Sequence, residues 1–182
     1  MATRKVVANR PAKGELTASE TRALRMLLDQ SAIRDVIELY NYSLDAGKFR
    51  EFRNIFTSDA RADYAGGLLK YSGWQGIMKG MRDNLRTGKI SSSNHFITSV
   101  SIRVTGDTAK SDTFAVAVGE TKGKPDGSGA VVSLGLRYRD EWIRGAKGWR
   151  ISYRLHTRSW KFETAVAAAA PTSQAKGAAS KP

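Results

Sequence analysis

The 182-residue sequence has no cysteine, four prolines and only two histidines. Without cysteine there is no disulfide staple, no thiolate nucleophile and no cysteine-ligated metal, and a cytosolic setting is expected. His95 and His156 have no HxxxH spacing, which argues against a metal centre. No window approaches about 18 uninterrupted apolar residues, and the opening segment MATRKVVANRPAKGE is basic without an apolar core, so neither membrane spanning nor export is expected. Acidic residues are also scarce. Seventeen Asp and Glu stand against 30 Lys and Arg, a formal charge of +13. Six of the basic residues fall in the first 13 and last 7 positions, and the rest form no basic stripe interleaved with aromatics. Nucleic-acid binding is therefore not expected as the main role.

The length suits one domain with a real core. Residues 1–15 lack periodicity and read as a disordered basic arm, residues 16–163 as the domain, and residues 164–182 (TAVAAAAPTSQAKGAASKP) as a disordered low-complexity tail.

The chain is best read around Ser31 to Phe56. Ile33, Val36, Ile37, Tyr40 and Leu44 recur at helical spacing, and Phe49, Phe52, Ile55 and Phe56 resume it after Gly47, a residue suited to closing a helix. Asp45 then falls in a helix's last turn, where the partial negative charge of the carbonyl end repels a carboxylate. That placement marks either a site or a surface acid neutralised by Lys48 or Arg50. Upstream, Ala23, Leu24, Leu27 and Leu28 predict a short helix beginning near Thr17 with Ser19 as a possible cap, and Ser31 is a possible second start.

Ala60 to Tyr64 and Leu68 to Ser72 predict short strands around Gly66 and Gly67, and Trp74, Ile77, Met78, Met81 and Leu85 a third helix. Beyond Ile90 the period becomes two. Strands are predicted over residues 94–104, 108–119, 131–144 and 149–162, joined by turns too short for parallel crossovers. The expectation is an α+β layer fold with a curved antiparallel sheet and helices on one face. Both histidines fall in strands, where packed, solvated and functional roles are all open. Alternation puts Arg154 and His156 on one strand face, which either lines a pocket or is solvated, and Trp149, Ile151, Tyr153 and Leu155 on the other. Trp74, Trp142 and Trp160 read as core or interface residues.

The order YxxxLD, helix ending in IF, RADY, glycine-led helix, NHFIT, YRDEWIR and GWRISYR resembles the SnoaL-like, NTF2-fold superfamily from about Gln30 to Phe162. The resemblance implies a cone, with helices on the concave face of a mostly antiparallel sheet. Nearest are enzymes of the scytalone dehydratase and hexachlorocyclohexane dehydrochlorinase types, whose Asp–His dyad falls on Asp45 and His95. A substrate-facing tyrosine falls on Tyr64, and the dehydrochlorinase type's basic residues fall on Tyr40 and Arg154. Leu44 stands where the dehydratase type has tyrosine. Its second histidine falls near Gly119, so His156 would replace it only from another strand.

The implied activity is a cofactor-independent elimination of the dehydratase type, or an isomerisation, on a small cyclic or polyketide-like apolar substrate. Asp45 and His95 would form the general base, with Tyr40, Tyr64, Arg154 and His156 binding substrate. The alternative is a non-catalytic ligand-binding or assembly module of the same superfamily. Apolar residues on both strand faces, with the family's habit, imply a homo-oligomer, dimer or trimer.

Overall fold

The computed structural model describes residues 14–87, 90–121 and 128–166, without the side chains of residues 85–87, 90 and 91. Most of the expected basic arm, residues 122–127 of the expected connection between the second and third long strands, and the expected tail beyond Val166 lie outside the described residues. Helix α1 is one continuous helix, Ala18–Asp45. Its cap is Thr17, not Ser19: the Thr17 hydroxyl accepts from the Glu20 N–H, and the Glu20 carboxylate accepts in return from the Thr17 N–H. The possible break near Ser31 does not occur. Side chains there are fastened to the sheet, with Asp29 accepting from Arg144 (2.7 Å) and from the Trp149 indole (3.0 Å). In this first half of α1, Leu24, Leu27 and Leu28 are exposed.

A short 3₁₀ turn, Phe49–Glu51, leads into α2 (Phe52–Ile55) and β1 (Phe56–Tyr64). A turn at Ala65–Gly67 precedes β2 (Leu69–Ser72) and α3 (Gly73–Thr87). Then come β3 (Ile90–Thr105), β4 (Thr108–Thr121), β5 (Gly129–Gly145) and β6 (Gly148–Val166), so that the last strand runs on into the low-complexity composition. The six strands form one sheet in the order β2-β1-β6-β5-β4-β3. All pairings are antiparallel except β1 with β6, which is parallel, as the long stretch of chain between the two strands allows. This is the expected α+β cone, a curved, unclosed sheet with its helices on the concave face.

The edge strand β3 is covered by side chains of α1. Gln30 donates to the Ile102 carbonyl and Arg34 to that of Val100, while Asp45 accepts from the His95 N–H. One helix face thus satisfies backbone groups that an open edge would leave for another chain. The core between helix and sheet holds Ile33, Ile37, Tyr40, Phe52, Ile55 and Trp142, all at most 2% exposed.

The face assignment on β6 needs correction. Glu141 pairs with Tyr153 but Trp142 pairs with Ile151, so Ser152 is an extra residue, a β-bulge. The bulge resets the alternation. Trp149 and Ile151 point into the core together with Arg154, while Tyr153 and Leu155 line a depression on the outer face.

Candidate active site

Asp45 is the last residue of α1, held there by the turn that follows. Gly47 takes φ +65°, its N–H donates to Leu44 (3.2 Å), and the Lys48 N–H donates to Ser43 (2.8 Å), the paired closure of a Schellman motif. The carboxylate that the helix end repels is met by three donors from β3. His95 Nδ1 lies 2.6 Å from Oδ1, the His95 backbone N–H donates to Oδ2 at 2.7 Å, and Ser93 Oγ donates to Oδ1 at 3.3 Å. A carboxylate only accepts, so Nδ1 carries a proton, and in the neutral ring Nε2 then has the lone pair. The two side chains are 12% and 20% exposed.

His95 opens on a cavity of about 270 Å³ with a mainly apolar wall, including Leu44, Met81, Ala117 and Leu136. Tyr40, Tyr64, Tyr138 and His156 supply much of its polar lining. The Tyr40 and Tyr64 hydroxyls are hydrogen-bonded at 2.8 Å. Burial raises the proton affinity of both, partly offset by Arg154, so both remain phenols at neutral pH. The His156 ring lies between those of Tyr64 and Tyr138, each 5.1 Å away. Its Nδ1 accepts a long bond (3.5 Å) from the Ala65 N–H, which puts the ring proton on Nε2. Ala65 has φ +52°, a strained value for a residue with a Cβ, at the mouth of this cavity.

Arg154 does not reach the cavity wall. It is 1% exposed and forms two bonds to Asp140, from Nε at 2.7 Å and Nη2 at 2.8 Å. Its guanidinium lies 4.0 Å from the centre of the Tyr40 ring and 4.6 Å from that of Tyr138. Burial opposes its charge, but Asp140 more than compensates, and Arg154 stays a cation. Both of those rings border the cavity.

Burial first, then the Arg154 charge, lowers the pKa of His156 from 6.5 to about 4. An unfolded chain takes up this proton as pH falls through about 6.5, whereas the folded chain resists until about 4. Stability linked to His156 is therefore complete above about pH 6.5 and is lost as pH falls to about 4, by ~3 kcal/mol. Urea titrations of wild type and His156→Gln across that window should differ in slope, with the variant flatter. Parallel slopes would mean that His156 titrates normally.

The SnoaL-like domain family matches residues 25–155, well over half of the chain. The protein belongs to the SnoaL-like domain family. Among curated relatives, an uncharacterised protein of Mycobacterium tuberculosis H37Rv is 28% identical over 149 residues, covering 75% of this chain and 94% of that protein. Similar solved structures include a LinA-type hexachlorocyclohexane dehydrochlorinase from Novosphingobium barchaimii, 18% identical with a TM-score of 0.68, covering 82% of this chain and 99% of that one. A provisionally named scytalone dehydratase from Novosphingobium aromaticivorans is 21% identical with a TM-score of 0.65, covering 87% and 99%. These likenesses show a shared fold, which a further similar structure from Novosphingobium aromaticivorans, an NTF2-like protein with a cystatin-like fold (TM-score 0.64, 22% identical, covering 80% of this chain and 92% of that one), names.

Within this SnoaL-like domain, Tyr40, Tyr64, His95 and His156 meet at one cavity, with Asp45 behind His95 and Arg154 behind Tyr40. Tyr138, Asn84 and Asp140 were not singled out from the sequence. Tyr138 was within reach, because Leu134, Leu136 and Tyr138 alternate along β5. Among the described residues, no helix is long and apolar enough to cross a membrane.

Proposed function

We propose that the protein is a cofactor-independent lyase of the dehydratase type, or an isomerase, acting on a small cyclic, largely apolar substrate. The observation that carries this reading is the 2.6 Å contact of Asp45 with His95 Nδ1 beside the 270 Å³ cavity. Asp45 fixes the tautomer and stabilises the imidazolium, and His95 Nε2 removes a proton from carbon. General-base catalysis of this kind contributes about 10² to 10⁴ in rate, or roughly 3 to 5 kcal/mol of barrier. The Tyr40–Tyr64 pair, with the Arg154 cation behind it, stabilises developing negative charge on oxygen. His156 has a depressed proton affinity and its Nε2–H serves as a neutral donor, not as a strong acid. The two similar structures are named for eliminations, a dehydrochlorination and a dehydration, which agrees with a base beside a leaving group.

Incubating the protein with cyclic β-hydroxy ketones and following loss of water by mass spectrometry tests the proposal. Conversion supports it; tight binding without conversion of any of them would favour the ligand-binding module.

The outer sheet face carries Phe96, Phe114, Trp160 and Phe162, between 42% and 64% exposed. Trp160 lies across β5 at Gly135, where a Cβ would collide with its indole. We assign this aromatic face to a second copy of the chain, and light scattering that finds only monomers at micromolar concentration would refute that assignment.

A further inference from the structure

Asp45 and His95 account for removal of a proton and the Tyr40–Tyr64 pair for one donor to the oxygen that receives the electron pair, but an oxyanion takes more than one donor. Of the three tyrosines on the cavity wall, Tyr40 and Tyr64 share one hydrogen bond, which leaves a single proton between them for a ligand. Tyr138 has no hydrogen-bond partner for its hydroxyl among the described residues, although the residue is only 2% exposed. The ring is buried but the hydroxyl is not sealed off, because it borders the cavity, where a ligand or water can reach it. Its ring is fixed by three neighbours, His156 at 5.1 Å, Tyr40 at 5.8 Å and the Arg154 guanidinium at 4.6 Å. Burial, reinforced by Tyr40, raises its proton affinity well above that of an ordinary phenol, so it is a donor at any working pH.

We propose that Tyr138 donates a hydrogen bond to the substrate oxygen that gains negative charge, and that the substrate is an uncharged carbonyl compound seated with that oxygen against Tyr138. The proposal deepens the lyase or isomerase reading and rests on it. When His95 Nε2 takes the proton on the carbon beside the carbonyl, the C–H electron pair forms the carbon–carbon double bond. The carbonyl π pair then moves to oxygen. Tyr138 keeps its proton and its bond to that oxygen shortens, while Arg154 behind the ring favours the added charge. An anionic substrate is disfavoured, because among the described residues the cavity wall holds no Lys or Arg and the Arg154 cation is paired with Asp140.

Two probes of nearly equal size separate the hydroxyl's role from packing: 2-naphthol, which offers an oxygen, and naphthalene, which does not. Tyr138→Phe removes one oxygen and leaves the ring on its three neighbours. Wild type should bind 2-naphthol more tightly, and the variant should lose about tenfold for 2-naphthol and less than about twofold for naphthalene. Equal losses for both probes, no loss for 2-naphthol, or no preference in wild type would overturn the proposal. Repeating the pair in a His95→Ala background keeps the two claims apart. A persisting tenfold difference upholds Tyr138 even if turnover proves independent of His95.

Discussion

Asp45→Asn should fold with nearly wild-type stability and lose about 10³- to 10⁴-fold in kcat on a converted substrate. The reason lies in the second oxygen of the carboxylate. Oδ2 accepts the His95 backbone N–H at 2.7 Å, a donor that cannot be turned off. An asparagine must present its one oxygen to that N–H, which leaves its NH₂ group facing His95 Nδ1. Nδ1 then becomes an acceptor, the ring proton moves to Nε2, and the lone pair leaves the cavity. Geometry survives and the base does not. His95→Ala, which deletes the base outright, should cost about 10² to 10⁴. Circular dichroism melts and steady-state kinetics on both variants check this, and full turnover by either would remove the dyad from the mechanism.

Asp140→Ala should be the most destabilising single change near the site, by about 3 to 5 kcal/mol. Asp140 and Arg154 are 0% and 1% exposed, and removing the acid strands a guanidinium between the Tyr40 and Tyr138 rings. For a domain of this size the melting temperature should fall by on the order of 10 °C. Replacing both partners, Asp140→Leu with Arg154→Met, should recover much of that loss, because no uncompensated charge remains. If the double replacement is as unstable as the single one, the loss comes from packing and not from the stranded charge.

Much of the fold was legible because its signals were periodic. Ile33, Ile37, Tyr40 and Leu44 marked the buried stripe of α1, Gly47 its end, and four alternating runs the sheet. The continuity of α1 through Asp29 to Ser31 was not legible, since it depends on Arg144 and Trp149 more than a hundred residues away. Nor was the parallel pairing of β1 with β6, which no local pattern encodes.

The candidate site divides in the same way. Asp45 drew attention by sitting where a carboxylate is locally unfavourable, and its partners from β3 explain why it is tolerated there. The family resemblance points to Arg154 as a pocket residue, and simple alternation along β6 leaves its face open between pocket and solvent. Counting back from the Gly145–Gly148 turn without a bulge would pair Asp140 with Tyr153. The extra Ser152 instead places Arg154 opposite Asp140, and the two inward charges neutralise each other beneath the cavity.

With only two histidines in the chain, their ring protons can be assigned directly by ¹⁵N–¹H NMR of the imidazoles at neutral pH. The expected result is opposite tautomers, with the proton on Nδ1 and a bare Nε2 for His95, and the proton on Nε2 for His156. A neutral His95 found with its proton on Nε2 would mean that Asp45 does not prepare the base, and the account of catalysis would fail with it.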